Sequence, residues 1–139
     1  MSTEKNNVAL LDEAYRYWND NREKAFEKWM ELMDDNVHFR SMAEGAPGME
    51  FTKACTSKRE LLDYFEVLAN EWEMLYYKVD EFVAQDDRIV AIGNTGWVNR
   101  RTRKRVDTPK VDVIRMKNSK IVEFFEIYDT AKVLGAARE

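Results

Sequence analysis

Two segments place acids among apolar neighbours, where a carboxyl group could do chemistry. In "RVDTPKVDVIRM", residues 105–116, Asp112 stands between Val111 and Val113, and its same-face strand neighbours are Ile114 and Met116. Such an acid is either turned to water or kept in a pocket for proton transfer. In "FFEIY", residues 124–128, Glu126 shares a face with Phe124 and Tyr128, while Phe125 and Ile127 take the other. Both faces are apolar, as expected of a sheet with a cavity on one side and a second subunit on the other. His38 is the only histidine and lies two residues before Arg40, so the two share a strand face. A pocket hydrogen-bonding or acid–base role is open to it, and so is an ordinary core or surface position. A zinc site would need three or four ligands, and no such spacing occurs, so no metal is expected.

The stretch "NRRTRKR", residues 99–105, gathers basic residues around a hairpin turn. One reading is a solvated tip that guards a sheet edge; the sharper one is a site for a phosphate or carboxylate group. No glycine-rich phosphate loop and no nucleophile motif occurs, and no cofactor is expected. Cys55 in "KACTS" has no base near it in sequence and reads as structural.

The chain has 139 residues, which suits a single domain over 1–139 with residues 1–7 flexible. A formal net charge of −4 argues against a nucleic-acid binder driven by overall charge, though net charge alone does not exclude a local basic patch. One cysteine cannot form an intramolecular disulfide, and no run reaches the roughly 18 apolar residues of a membrane span. The expectation is a cytoplasmic protein with no membrane and no nucleic-acid partner.

Elements must position the acids. Apolar residues at helical spacing, Val8, Leu11, Tyr15 and Trp18, predict a first helix ended by "NDN" at 19–21. A second helix is predicted over about 22–34, and "NVHFRSM", 36–42, alternates like a strand. Ser57 with Glu60 three residues on is a capping box opening a third helix through Leu61, Phe65, Leu68 and Trp72. From Met74 four strands follow, joined by short polar turns, and "DTAKVLGAA" reads as one closing helical turn. Grouped helices followed by strands define an α+β order.

That order, with "LMDDNVHF" before the first strand and "VDVIRMKNSKIVEFFEIYD" at the end, resembles the nuclear transport factor two-like superfamily. This group includes SnoaL-like polyketide cyclases, ketosteroid isomerases and limonene-epoxide hydrolases. The resemblance implies a cystatin-like cone: a curved antiparallel sheet wrapped around three N-terminal helices and enclosing an apolar cavity. One such scaffold hosts many reactions and some proteins with none.

Two overlays follow from the resemblance. In the isomerase overlay, Asp112 takes the place of an oxyanion-hole acid and Tyr15 that of a helix-one tyrosine. The general base would fall near Arg40, and arginine cannot accept a proton, so steroid isomerisation by that constellation is not expected. In the epoxide-hydrolase overlay, Lys110, Asp112 and Glu126 stand for a cation between two acids. One acid activates water and the other protonates the epoxide, while the cation keeps their protonation states apart. On a regular strand Lys110 shares the face of Asp112; a bulge at Pro109 would turn it away.

The resulting expectation is a cofactor-independent isomerase, cyclase or hydrolase acting on a small, mostly apolar organic molecule. Asp112, Glu126, His38 and Tyr15 are the candidate catalytic residues. Trp18, Arg40, Met42, Phe65, Trp97, Lys110, Phe124 and Tyr128 are expected to line a pocket on the order of a few hundred Å³. A non-catalytic ligand-binding or protein-interaction domain is the alternative. A homodimer is expected through the outer sheet face.

Overall fold

A computed structural model describes residues 2–139, apart from the side chain of Lys24; Met1 lies outside the described residues. The polar opening expected to fray is helical from its third residue. Helix α1 (Thr3–Asn21) is capped by Ser2, whose side chain accepts from the Lys5 amide at 3.2 Å. It buries Leu11, Ala14, Tyr15 and Trp18. The predicted second helix is shorter than its periodicity suggests. Arg22 takes a positive φ of 71°, which interrupts the helix, and Arg22–Lys24 form a single 3-10 turn. Helix α2 (Glu27–Leu32) then gives way at Met33.

The chain becomes extended at Met33 because strand β1 (Met33–Ser41) begins pairing there, with Met33 opposite Ile121. Helix α3 (Lys58–Glu71) starts at the predicted capping box. Ser57 Oγ accepts from the Glu60 amide at 3.1 Å, and Glu60 reaches back to the Thr56 hydroxyl at 3.0 Å. Strands β2 (Trp72–Gln85), β3 (Arg88–Asn99), β4 (Arg105–Lys117) and β5 (Lys120–Tyr128) form the meander.

The sheet runs β1-β5-β4-β3-β2 and is mixed, because β1 lies parallel to β5. An all-antiparallel sheet was expected. Turn chemistry specifies the hairpins between consecutive strands, but it does not say which edge a distant strand joins.

Curvature comes mainly from β2. Its register slips between Met74 and Tyr76 and again between Val79 and Glu81, and each bulge bends the strand. Glycine on β3 permits the close approach. A Cβ on Gly93 would lie 1.8 Å from the Lys78 carbonyl oxygen, and one on Gly96 would lie 2.3 Å from the Tyr76 ring. Pro109 makes no bulge: the β3–β4 register is continuous through Asn94–Pro109 and Gly93–Lys110. Lys110 therefore stays on the face of Asp112.

The inner face of the sheet packs on α1, α2 and α3 through side chains such as Leu11, Met33, Leu61, Ile89 and Ile114. A second cluster closes the other end of the cone. There Val133, Ala136 and Ala137 of helix α4 (Thr130–Ala137) meet Trp72, Val106 and Met49. This helix makes about two turns, where one was expected.

The basic hairpin is occupied. Arg101 donates to the Ala137 carbonyl at 2.6 Å, Thr102 to Ala136 at 2.5 Å and Lys104 to Arg138 at 2.6 Å. Donors and positive charge thus meet the carbonyls that a helix C-terminus leaves unpaired. Arg100 turns the other way, to buried Glu23 at 2.5 Å.

Candidate functional site

The aromatic-lined cavity between helices and sheet has a volume of about 90 Å³. It is smaller than expected because aromatic rings from three helices occupy the cone. Trp18 and Phe65 meet edge to face at 5.8 Å, as do Tyr15 and Trp29 at 4.8 Å. Trp18, Phe65, Trp97, Lys110, Phe124, Glu126, Tyr128 and Tyr15 all line it.

Lys110 stands at the centre of the polar wall. Its Nζ donates to Asp112 Oδ1 at 2.7 Å and to Tyr77 Oη at 2.7 Å. It also lies 3.1 Å from Glu126 Oε2. An ammonium has three protons, so these partners use all of them. Asp112 Oδ2 accepts from Tyr15 at 2.5 Å and from Tyr77 at 2.6 Å. Glu126 Oε1 accepts from Tyr64. Ser41 and Tyr128 hydroxyls share a hydrogen bond of 2.5 Å.

Local structure explains this convergence. Lys110 and Asp112 alternate inward on β4, and Glu126 is the cross-strand partner of Asp112 on β5. Tyr15 comes from α1 and Tyr64 from α3. Tyr77 faces inward because the bulge after Met74 reverses the parity of β2.

The two acids differ in access. Asp112 is 1% exposed and is absent from the cavity wall; Lys110, Tyr15 and Tyr77 stand over it. Glu126 lines the cavity. The expectation that Asp112 would itself meet a ligand is therefore corrected, because the cation and phenols that hold it also cover it.

Burial and charge act together on the titrating groups. Burial raises the Tyr15 and Tyr77 pKa values well above the ordinary phenol range, and Asp112 raises them further. Burial does the same to Tyr64, with Glu126 adding to it. The Tyr128 phenol is pushed up to about 12, first by burial and then by Glu126. Burial pulls Lys110 down, but Asp112 and Glu126 together outweigh it and its pKa is raised.

One candidate catalytic residue, His38, and two expected pocket residues, Arg40 and Met42, lie elsewhere. His38 and Arg40 are exposed on the outer face of β1, and Met42 just beyond the strand is 41% exposed. Val37 and Phe39 hold the inner face, with Phe39 stacked on Phe124 at 4.9 Å. Apolar burial decides the parity, since exposing Phe39 to bury an arginine would cost on both counts. Arg40 instead lies over the outward ring of Phe125, 4.3 Å from its centroid.

Sequence reasoning missed Tyr64 and Tyr77. Tyr64 was within reach, since it falls three residues after Leu61 on the apolar stripe of α3. Tyr77 carried no such signal, because simple alternation from Met74 selects Tyr76. Cys55 is buried, with its pKa pushed up to about 11 by burial. Among the described residues no cluster of metal-ligating side chains occurs and no helix is long and apolar enough to cross a membrane.

Comparison with known proteins places this architecture. An NTF2-like protein from Burkholderia thailandensis has 24% identity and a TM-score of 0.80, with 100% of both chains covered. An NTF2-like protein from Burkholderia pseudomallei has 18% identity and a TM-score of 0.82, again over 100% of both chains. TerC, co-crystallized with polyporic acid, has 15% identity and a TM-score of 0.77, covering 96% of this chain and 98% of that one. No curated protein sequence matches. At these identities the structural likeness shows the fold. The sequence also matches the SnoaL-like domain model over residues 11–124, well over half of its length; the chain belongs to the SnoaL-like domain family.

Proposed function

We propose that this protein binds a small, mostly apolar organic molecule in its cone and acts on it by acid–base chemistry, with Glu126 as the proton-transferring group. The observation that carries the reading is Lys110, fixed between Asp112 and Glu126 at the wall of an aromatic cavity. Glu126 has carboxylate lone pairs left for a ligand proton or a water. Lys110 and Tyr64 hold it in place. Asp112 positions Lys110, Tyr15 and Tyr77 from behind.

This favours proton abstraction or water activation, as in a cyclase, isomerase or hydrolase, over oxyanion stabilisation. Tyr15, Tyr64, Tyr77 and Lys110 spend their donors within the protein. The same saturation supports a second reading, a binding domain without turnover. The deciding experiment offers wild type and Glu126→Gln small cyclic epoxides in ¹⁸O-water and small cyclic ketones in D₂O. Glu126-dependent ¹⁸O incorporation or α-proton exchange supports the enzyme; no turnover in either, with ligand binding intact, leaves the binding domain.

The outer face supports a homodimer. Val111, Val113, Phe125 and Ile127 are only half-buried there, and Val83 is 54% exposed. Sedimentation at micromolar concentration is expected to give a dimer, and Phe125→Lys a monomer. A reducing, cytoplasmic location suits a chain whose one cysteine is buried.

A further inference from the structure

The charges at the cavity do not balance. Asp112 and Glu126 contribute two carboxylates and Lys110 one ammonium, which leaves one excess negative charge. Among the described residues no other charged side chain lines the cavity. Lys110 and Asp112 are matched at 2.7 Å, so the excess resides on Glu126, the acid that faces the cavity. One ammonium shared between two carboxylates, 2.7 Å from Asp112 and 3.1 Å from Glu126, leaves the pair under-neutralised in a desolvated wall, which is costly, and a bound cation would remove the imbalance.

The rest of the wall suits such a cation. Its surface is largely aromatic ring, and ring faces attract organic ammonium groups once water is excluded. The protein's strong donors are already committed to Asp112 and Glu126, so the site offers an acceptor and π-faces. An anion would add to the excess negative charge, and a neutral ligand would leave that excess in place.

We infer that the preferred ligand is an organic cation, an amine protonated or alkylated at nitrogen and carried on an apolar body, with its nitrogen beside Glu126. This rests on the reading of the cone as a small-molecule pocket, and it narrows the ligand class.

The test compares phenyltrimethylammonium with tert-butylbenzene, a neutral isostere that replaces the charged nitrogen by carbon. All four tryptophans, Trp18, Trp29, Trp72 and Trp97, line the cavity, so intrinsic fluorescence at matched ionic strength reports binding of either probe. The expected result is tighter binding of the cation by about tenfold or more, with the preference lost in Glu126→Gln. Equal or tighter binding of tert-butylbenzene to wild type would overturn the inference while sparing the pocket. A cation preference that persists in Glu126→Gln would also overturn it, since the charge would act from elsewhere. Binding of neither probe would overturn the pocket reading along with it.

Discussion

The two ends of the cavity are built by different forces. At one end Lys110, Asp112 and Glu126 meet three tyrosines, and the polar atoms of the cluster pair with one another. At the other, Met49, Trp72, Trp97, Val106 and Val133 meet through apolar contact. There Trp97 Nε1 donates to Thr95 Oγ1 at 2.7 Å, whereas Trp72 Nε1 is buried with no partner among the described residues. The contrast separates two design costs. The polar end stores its cost in desolvated charge that must remain paired, while the apolar end tolerates one orphan donor because shape rather than hydrogen bonding holds it.

The largest effect is expected where charge is buried. Lys110→Met leaves Asp112 and Glu126 facing each other without a cation, at a cost of about 3–5 kcal/mol in urea unfolding. Adding Asp112→Leu and Glu126→Gln to that variant is expected to recover much of the loss, because a neutral replacement of the whole group removes the uncompensated charge. A loss below about 1 kcal/mol in the single variant would mean that water reaches the cluster.

An alkaline limb in the stability profile comes next. The folded pKa of Lys110 is raised, so its contribution is complete below the unfolded lysine value of about 10.4 and fades as pH rises through the folded value. Tyr15, Tyr64 and Tyr77 act in the same direction. The native state holds their protons more tightly, so stability falls once pH passes the unfolded phenol value of about 10. Melting temperatures recorded from neutral to strongly alkaline pH should fall above that point. Tyr15→Phe should flatten the fall, and an unchanged slope would contradict the burial of that phenol.

A finer test compares two tryptophans. Trp97→Phe loses a hydrogen bond to Thr95, whereas Trp72→Phe also removes an unpaired buried N–H, which offsets its lost contacts. Trp97→Phe is expected to be the costlier by about 1 kcal/mol in denaturant unfolding. The reverse order would show that Trp72 Nε1 has a partner in solution. The smallest effect belongs outside the cone: His38→Ala should change stability by no more than about 0.5 kcal/mol and leave ligand binding untouched, since the ring is exposed.

Much of the frame was legible because its signals are local. Ser57 and Glu60 marked the start of α3, the apolar spacing of Leu11, Tyr15 and Trp18 marked the buried face of α1, and short polar turns marked the meander. A spacing of two puts Lys110 and Asp112 on one face of a regular strand, but that Pro109 makes no bulge was decided only by the pairing of β4 with β3. His38 and Arg40 fall on the outer face because Val37 and Phe39, their apolar neighbours on the strand, carry the stronger claim to the core.

Sequence by itself determined the element order and the α+β class, since each follows from interactions within a few residues. Tertiary structure decided the rest. The parallel docking of β1 on β5 depends on contacts far apart in sequence. A bulge in β2 brings Tyr77, not Tyr76, to Asp112, and one residue of slip is enough because strand faces alternate with a period of two. The different access of Asp112 and Glu126 arises only when side chains from α1, α3, β2, β4 and β5 compete for the same few ångströms of space. No pattern along a single strand encodes that competition.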